Sequence, residues 1–380
     1  MTRVGFIGDV HVANHKKFGG KKVAGINERC EHILRSLRAA TTIARTQNVE
    51  TLVILGDLFD TPRPSPQIVC KVQEVLERIP TVVLAGNHDQ CSDEPWDNAL
   101  APLYPVAEVI DRPDVVGLED VNLILVPYHS GDYTAYLKEQ AAYLKTELRK
   151  CDQFGDNILC FHAGVVDAAT PAFLRDSQAA ITTDSLFDLS EQLDIKMSFA
   201  GHWHNARAWE KGKREILQAG AFAPTGFGDQ GLNYGTLYVY DSDKQDVEYH
   251  TVPGPRFLDV TLDQDITTVS GQSNKRLDGC NLFIRVAVNE NEIALGETII
   301  KAGIDSEVIE DGELVISKEA SKRACENAAT ATTSSDNLAE ALNVYTGAMP
   351  LKDIDDFDAP EARMEILSMA IEYLRRTGAD

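Results

Sequence analysis

Five apolar runs in the first 255 residues each end on a polar tip of metal-ligand character. "FIGDVH" closes on Asp9 and His11, and "VILGDLFD" on Asp57 with Asp60 close behind. "VLAGNHD" closes on Asn87, His88 and Asp89, "LCFHAG" on His162, and "FAGHWHN" on His202 and His204. Of the nine histidines in the 380 residues, five stand at these ends, which is not how solvated surface histidines are distributed. Short apolar runs bounded by turn signals read as buried strands. In open α/β sheets, sites form outside the carboxyl ends of the strands. A glycine before the tip lets the chain turn sharply and brings its backbone close to a ligand. The pattern therefore demands a fold that gathers several strand ends at one edge.

Between these runs lie stretches of helical periodicity. "INERCEHILRSLRAATTIARTQN" places Ile33, Leu34, Leu37, Ala40, Ile43 and Ala44 on one face, and "SPQIVCKVQEVLERI" behaves similarly. "VNLILVPYH" adds a strand, and "GTLYVYD" and "DVEYHTV" form a hairpin across Ser242 to Gln245. Alternating strands and helices predict an α/β layered sheet flanked by helices over residues 1–255. After "VPGPRF" the character changes. "LFIRVAV", "LGETIIKAG" and "SEVIEDGELVIS" predict a small α+β unit over 256–318. Residues 319–335, rich in Ala, Thr and Ser, read as a linker. Two short amphipathic helices are expected within 336–380, the second with Met364, Leu367, Ile371 and Leu374 on one face behind an Asp358 N-cap.

Each tip alone has a bland explanation. "GD" after a strand is commonly a turn, "GNHD" can be an Asx-turn, and a lone His162 is commonly a satisfied core histidine. As an ordered set they point to metal. Carboxylates, an Asn oxygen and imidazoles form a mixed oxygen/nitrogen donor set without thiolate, which suits manganese, iron or zinc. A shared carboxylate can bridge two ions about 3.5 Å apart, a spacing suited to phosphate-ester cleavage. On a strand, His202 and His204 would project from the same face, because residues i and i+2 point the same way.

A net charge of −23 argues against a general polyanion-binding surface and against an anionic membrane as partner. The charge is uneven, however. Residues 1–50 carry nine Lys/Arg against four Asp/Glu, and Lys16, Lys17, Lys21 and Lys22 cluster in "HKKFGGKK". This loop is either a solvated surface or a local phosphate contact. Seven scattered cysteines without a CxxC pair argue against a zinc ribbon and against a disulfide framework. No apolar run is long enough to span a bilayer, and "MTRVGFIGDVH" enters a strand without a leader pattern. The expectation is a soluble, cytoplasmic protein.

"GDVH … GDLFD … GNHD … FHAG … GHWH" resembles the calcineurin-like metallophosphoesterase superfamily over about 255 residues. "GDLFDTPRPSP" and the small unit after "PGPRF" resemble the SbcD branch of the DNA double-strand-break repair nucleases, including phage relatives. The resemblance implies a metallophosphoesterase β-sheet sandwich, a capping domain, and two divalent ions, with manganese favoured. Asp9, His11 and His204 would bind the first ion and Asn87, His162 and His202 the second, with Asp57 bridging. His88 would stand beside the scissile phosphate as the catalytic residue. Some members carry a catalytically helpful histidine where Asp60 stands here. A carboxylate at that position is suited to orienting a ligand histidine through its ring N–H.

The resemblance further implies a DNA exonuclease or endonuclease acting in repair and recombination. Its partners would be DNA and an SbcC-like coiled-coil ATPase, or a second copy of the chain, inside a bacterial or phage-infected cell. The alternative is a phosphodiesterase or phosphatase for nucleotides or other small molecules. A third reading, a scaffold on an inactive phosphoesterase fold, is disfavoured by the complete ligand set.

Overall fold

The structure is a computed structural model and describes residues 1–151, 155–170, 179–229, 235–261, 281–288, 293–305 and 309–316. Two six-stranded sheets face one another. The first runs β16 (Asp246–Thr251), β15 (Thr236–Asp241), β1 (Arg3–Ile7), β4 (Thr51–Ile54), β5 (Thr81–Leu84) and β6 (Glu108–Ile110). The second runs β13 (Arg207–Lys211), β14 (Arg214–Gln218), β12 (Ile195–Gly201), β9 (Asp156–His162), β8 (Val121–Val126) and β7 (Asp114–Gly117). In each, parallel strands occupy the centre and antiparallel pairs an edge: β1–β4–β5–β6 are parallel with β15 and β16 antiparallel beside them, and β14–β12–β9–β8 are parallel between antiparallel β13 and β7. The hairpin expected across Ser242–Gln245 is present, with Asp241 opposite Asp246.

Strand alternation explains the layers. On β1, Val4 and Phe6 enter the core between the sheets, whereas Ile7 joins the outer core under the helices. On β4, Val53 faces the opposite sheet, and Leu52 and Ile54 face the helices α1 (Glu28–Thr46) and α2 (Pro66–Leu76). The second sheet is covered likewise by α3 (Tyr133–Leu148) and α4 (Thr183–Gln192). The result is helix, sheet, sheet, helix. Burial on both faces is why these strands read as unbroken apolar runs. Between the sheets Phe6 stacks on Phe199 with ring centroids 3.8 Å apart. Tyr240 reaches from β15 across the seam to donate to Asp156 of β9 at 2.7 Å.

α1 starts where Asn27 accepts a hydrogen bond from the Cys30 N–H at 2.9 Å, a side-chain N-cap. Ile33, Leu34, Leu37, Ala40 and Ala44 of its expected face are buried. Two short pairs complete the first 255 residues: antiparallel β2 (Lys22–Val23) with β3 (Ile26–Asn27), and parallel β10 (Gly164–Val166) with β11 (Ala180–Thr182).

From Pro255 onward the chain forms a third sheet of parallel strands, β17 (Pro255–Thr261), β18 (Asn281–Val288) and β19 (Asp311–Ile316), packed on α5 (Ile293–Asp305). The expected linker and both C-terminal helices, with Met364, Leu367, Ile371 and Leu374, lie outside the described residues. Among the described residues, no helix is long and apolar enough to cross a membrane.

Phe199 is fully buried at the centre of the inter-sheet core. Phe199→Ala should therefore lower stability by about 3–5 kcal/mol, read as a fall in the denaturant midpoint. An unchanged midpoint would mean that the two sheets are not locked through this stack.

Candidate metal centre

The carboxyl ends of β1, β4 and β5 in the first sheet and of β9 and β12 in the second open on the same seam. The loops there use backbone that most residues avoid. Asp9, His11, Asp57 and His202 all take left-handed conformations, with φ of 51°, 51°, 49° and 87°. Such backbone costs on the order of 1–3 kcal/mol per residue and persists only where the surroundings over-determine it. His202 also corrects an expectation. β12 ends at Gly201, and the left-handed residue breaks the alternation, so His202 and His204 diverge instead of sharing a strand face. Trp203 between them packs over Gly164, where a Cβ would collide with its ring.

The side chains form two clusters joined by Asp57. His11 Nε2 lies 3.0 Å from His204 Nε2, and together with Asp9 they make one group able to hold a cation. Asp57, His162 and His202 make another. Asn87 Oδ1 lies within this second group, 3.1 Å from His162 Nε2 and 2.9 Å from His202 Nδ1. Asp57 Oδ2 lies 3.4 Å from His162 Nε2 and 3.9 Å from His11 Nε2, so one carboxylate faces both clusters. The structure thus brings together all seven residues expected to be ligands.

The Nδ1 atoms of His162, His204 and His11 are directed away from the two clusters. The Leu55 carbonyl can only accept, so His162 Nδ1, 2.6 Å away, carries a proton, and Nε2 is the nitrogen that faces Asp57 and Asn87. His204 Nδ1 is 2.9 Å from Asp229 Oδ1, and His11 Nδ1 is 3.2 Å from Asp60 Oδ1. A carboxylate behind an imidazole fixes its tautomer and raises its basicity toward a metal. Asp60 therefore sits where a residue orienting His11 would sit. Asp229 was not singled out from the sequence, since nothing local marks it.

Asp89 was singled out only as part of its motif. It is fully buried, and its carboxylate accepts from the N–H groups of Gly86, Leu58 and Phe59 at 3.0, 3.3 and 3.0 Å. It thereby clamps the loop after β5 to the loop after β4. Two glycines allow the closest approaches. A Cβ at Gly86 would collide with Asp57 Oδ1, and one at Gly56 (φ +101°) would collide with His162 Nδ1.

Electrostatics favour a cation here. Burial pushes Asp9 upward from the usual carboxylate range. Burial also opposes charge on Asp57, yet His162 and His11 beside it hold it well below that range. Burial disfavours charge on His162, but the Asp57 carboxylate lifts it to about 9. His202, buried beside His162, falls to about 3. Among the described residues, no lysine or arginine pairs with Asp9 or Asp57. Two buried carboxylates, imidazole nitrogens turned inward and an amide oxygen make a donor set that fits hard-to-borderline divalent ions.

His88 stands apart from the buried set. Its Nδ1 lies 3.2 Å from the Asp60 carbonyl, its ring meets His11 edge-on at 4.9 Å, and its side chain is 43% exposed. It could also join His11 and Asp57 around a cation. The lysine loop adjoins the centre, because His15 Nε2 lies 3.0 Å from the His11 carbonyl. Lys16, Lys17, Lys21 and Lys22 are all exposed, but Lys17 is committed to Glu313 of β19 at 2.5 Å.

A family model for calcineurin-like phosphoesterases matches residues 2–206. The chain belongs to that family. It is accordingly a metal-dependent phosphoester hydrolase on a mixed α/β fold. It is also 25% identical to the DNA double-strand break repair protein Mre11 of Sulfolobus acidocaldarius over 154 residues, which is 38% of this chain and 39% of the length of that protein. Among solved structures it resembles a dimetal phosphatase from Danio rerio, with 12% identity, coverage of 59% of this chain and 89% of that one, and a TM-score of 0.41. It also resembles a phosphopantetheinyl hydrolase from Mycobacterium tuberculosis, with 14% identity, coverage of 62% of this chain and 90% of that one, and a TM-score of 0.40.

The geometry separates two kinds of residue. Asp57→Ala should abolish hydrolysis of a small diester and reduce bound metal. His88→Ala should retain two ions per chain and lose most of the activity. Elemental analysis with bis-p-nitrophenyl phosphate turnover checks both, and loss of an ion in the His88 variant would make it a ligand.

Proposed function

We propose that this calcineurin-like phosphoesterase is a DNA nuclease, the SbcD-like subunit of a double-strand-break repair and recombination complex. The observation that carries the reading is the likeness to Mre11 in a chain whose candidate centre has the donors for two ions. In this reading Asp9, His11 and His204 hold one ion, Asn87, His162 and His202 the other, and Asp57 both. Manganese suits a donor set of oxygen and imidazole nitrogen without thiolate. Bound ions supply Lewis acidity to the phosphate and acidify the attacking water.

The chain's own residues do the rest. Nδ1 of His88, facing the Asp60 carbonyl, carries its proton there. When the imidazole is protonated, Nε2 can donate to the phosphate or to the leaving oxygen. Asp60 stands behind His11, and Asp229 behind His204. Lys16, Lys21 and Lys22 offer charge to the DNA backbone, whereas Lys17 is drawn toward the third sheet. Residues 1–255 would be the catalytic domain, 256–318 the cap, 319–335 a linker and 336–380 the segment that docks on an SbcC-like coiled-coil ATPase, with self-association as the other use of its apolar faces.

The net charge of −23 favours a second reading, a phosphodiesterase or phosphatase for small substrates. An acidic body repels a polyanion unless a basic partner completes the channel. A gel assay on linear duplex and single-stranded DNA with manganese, run beside bis-p-nitrophenyl phosphate, separates the two. Cleavage of DNA supports the nuclease, and hydrolysis of the small diester alone supports the second reading. Replacing Lys16, Lys21 and Lys22 with Gln should weaken DNA binding and reduce the slope of log affinity against log salt by up to about 3, near one for each phosphate no longer neutralised. An unchanged slope returns the loop to ordinary solvated surface.

Deleting residues 334–380 should leave small-diester hydrolysis intact and abolish co-purification with the ATPase. Loss of small-diester turnover would instead place that segment in the catalytic core.

A further inference from the structure

The support for His204 lies beyond residue 206, where the family match ends. Asp229 Oδ1 faces His204 Nδ1 at 2.9 Å, while Oδ2 accepts from the Thr225 N–H at 2.7 Å and from its hydroxyl at 2.5 Å. The Asp229 N–H closes the turn onto the Gly226 carbonyl at 3.1 Å. Phe227, at the middle of this turn, is buried. Its ring meets Phe257 of β17 edge-on at 5.1 Å, and Phe257 stacks on Phe283 of β18 at 5.0 Å. Phe18, from the lysine loop, meets Phe227 at 5.8 Å and Phe283 at 5.4 Å. Arg29 of α1, 2% exposed, donates to the carbonyls of Lys17 at 2.9 Å and Thr225 at 2.5 Å and lies 5.0 Å over the Phe257 ring.

We propose that the third sheet, through Phe257 and Phe283, positions the 225–229 turn and thereby the His204 imidazole. Phe257 and Phe283 are positioning residues for the ion assigned to Asp9, His11 and His204. The inference rests on that assignment. The turn is built from its own short hydrogen bonds and is anchored by an aromatic cage, one wall of which belongs to β17 and β18. Aromatic pairs in such edge-on and stacked geometry hold their partners specifically as well as burying area. Without that wall, Phe227 keeps only Phe18 as an aromatic neighbour, and the carboxylate two residues along loses its register against His204. A ligand imidazole deprived of its carboxylate binds metal more weakly by about 10–100-fold. The second cluster is anchored differently. His162 leans on the Leu55 carbonyl and Asp57 is clamped through Asp89 by way of Gly86, Leu58 and Phe59, all within the two-sheet body. The third sheet should therefore govern one ion and spare the other.

The test is calorimetric titration of the full-length, metal-stripped chain with manganese, with far-UV circular dichroism as a check on folding. Wild type should bind two ions. Phe257→Ala and Phe283→Ala should each weaken one of them by about 10-fold or more and leave the other unchanged, and Phe257→Tyr should restore it. Asp229→Asn should give the same single-site loss, and combining it with Phe257→Ala should add little, because both act through one carboxylate. If wild type binds two ions and Asp229→Asn weakens one, but Phe257→Ala and Phe283→Ala weaken neither, the positioning role of the third sheet is overturned while the metal assignment stands. Equal weakening of both ions in the phenylalanine variants would also overturn it, as general loss of stability. If wild type binds no manganese, the metal assignment itself falls, and this inference with it.

Discussion

His162 Nδ1 and the Leu55 carbonyl, 2.6 Å apart, join the carboxyl end of the second sheet to that of the first. The rest of the centre depends on that bond. It requires the two sheets to converge, and the glycines around it show how closely. A side chain at Gly201 would strike the Leu55 carbonyl, and one at Gly56 would strike the His162 ring. The bond holds a proton on Nδ1 of His162, and so leaves Nε2 as the nitrogen that faces Asp57 and Asn87. The apolar core behind it, centred on Phe6 and Phe199, holds the seam shut.

Around that seam the backbone is strained in a directed way. Asp9, His11, Asp57 and His202, all members of the two clusters, are left-handed. Backbone N–H groups compensate. His202 N–H donates to both oxygens of Asp9 at 3.0 and 3.1 Å, and His88 N–H to Asp57 at 2.9 Å. The cost of concentrating buried carboxylates is offset by these donors and by the neighbouring imidazoles, and a divalent ion would offset it further.

Charge divides the molecule. The body is acidic, and the basic loop beside the centre is the exception. Within that loop Lys17 turns to Glu313 and lies 5.4 and 5.9 Å over the Phe18 and Phe227 rings. One segment thus touches the centre through His15 and the third sheet through Lys17 and Phe18, which makes the placement of that sheet matter to the chemistry.

The sequence by itself determined the layered α/β architecture and the strand ends that carry polar tips, because burial on both faces and glycine before a polar tip are local signals; which seven of those polar residues would be ligands came from the family resemblance. The α1 face and the β15–β16 hairpin were legible for the same reason: their partners are a few residues apart. Tertiary structure alone decided the rest. Asp229 lies 25 positions beyond His204 in an unremarkable loop, and its role exists only because a turn of five residues folds it back. Asp89 stands in a legible motif, yet its bonds go to N–H groups of Leu58 and Phe59 some thirty residues away. The left-handed turn at His202, which separates two histidines that strand periodicity would align, follows from the Asp9 carboxylate waiting at the end of another sheet. Lys17 reads as a free cation until β19 brings Glu313 beside it. Periodicity records which face of an element is buried, but it carries no record of which distant group will meet a given polar atom, and at this centre those distant meetings set proton position, ligand direction and charge.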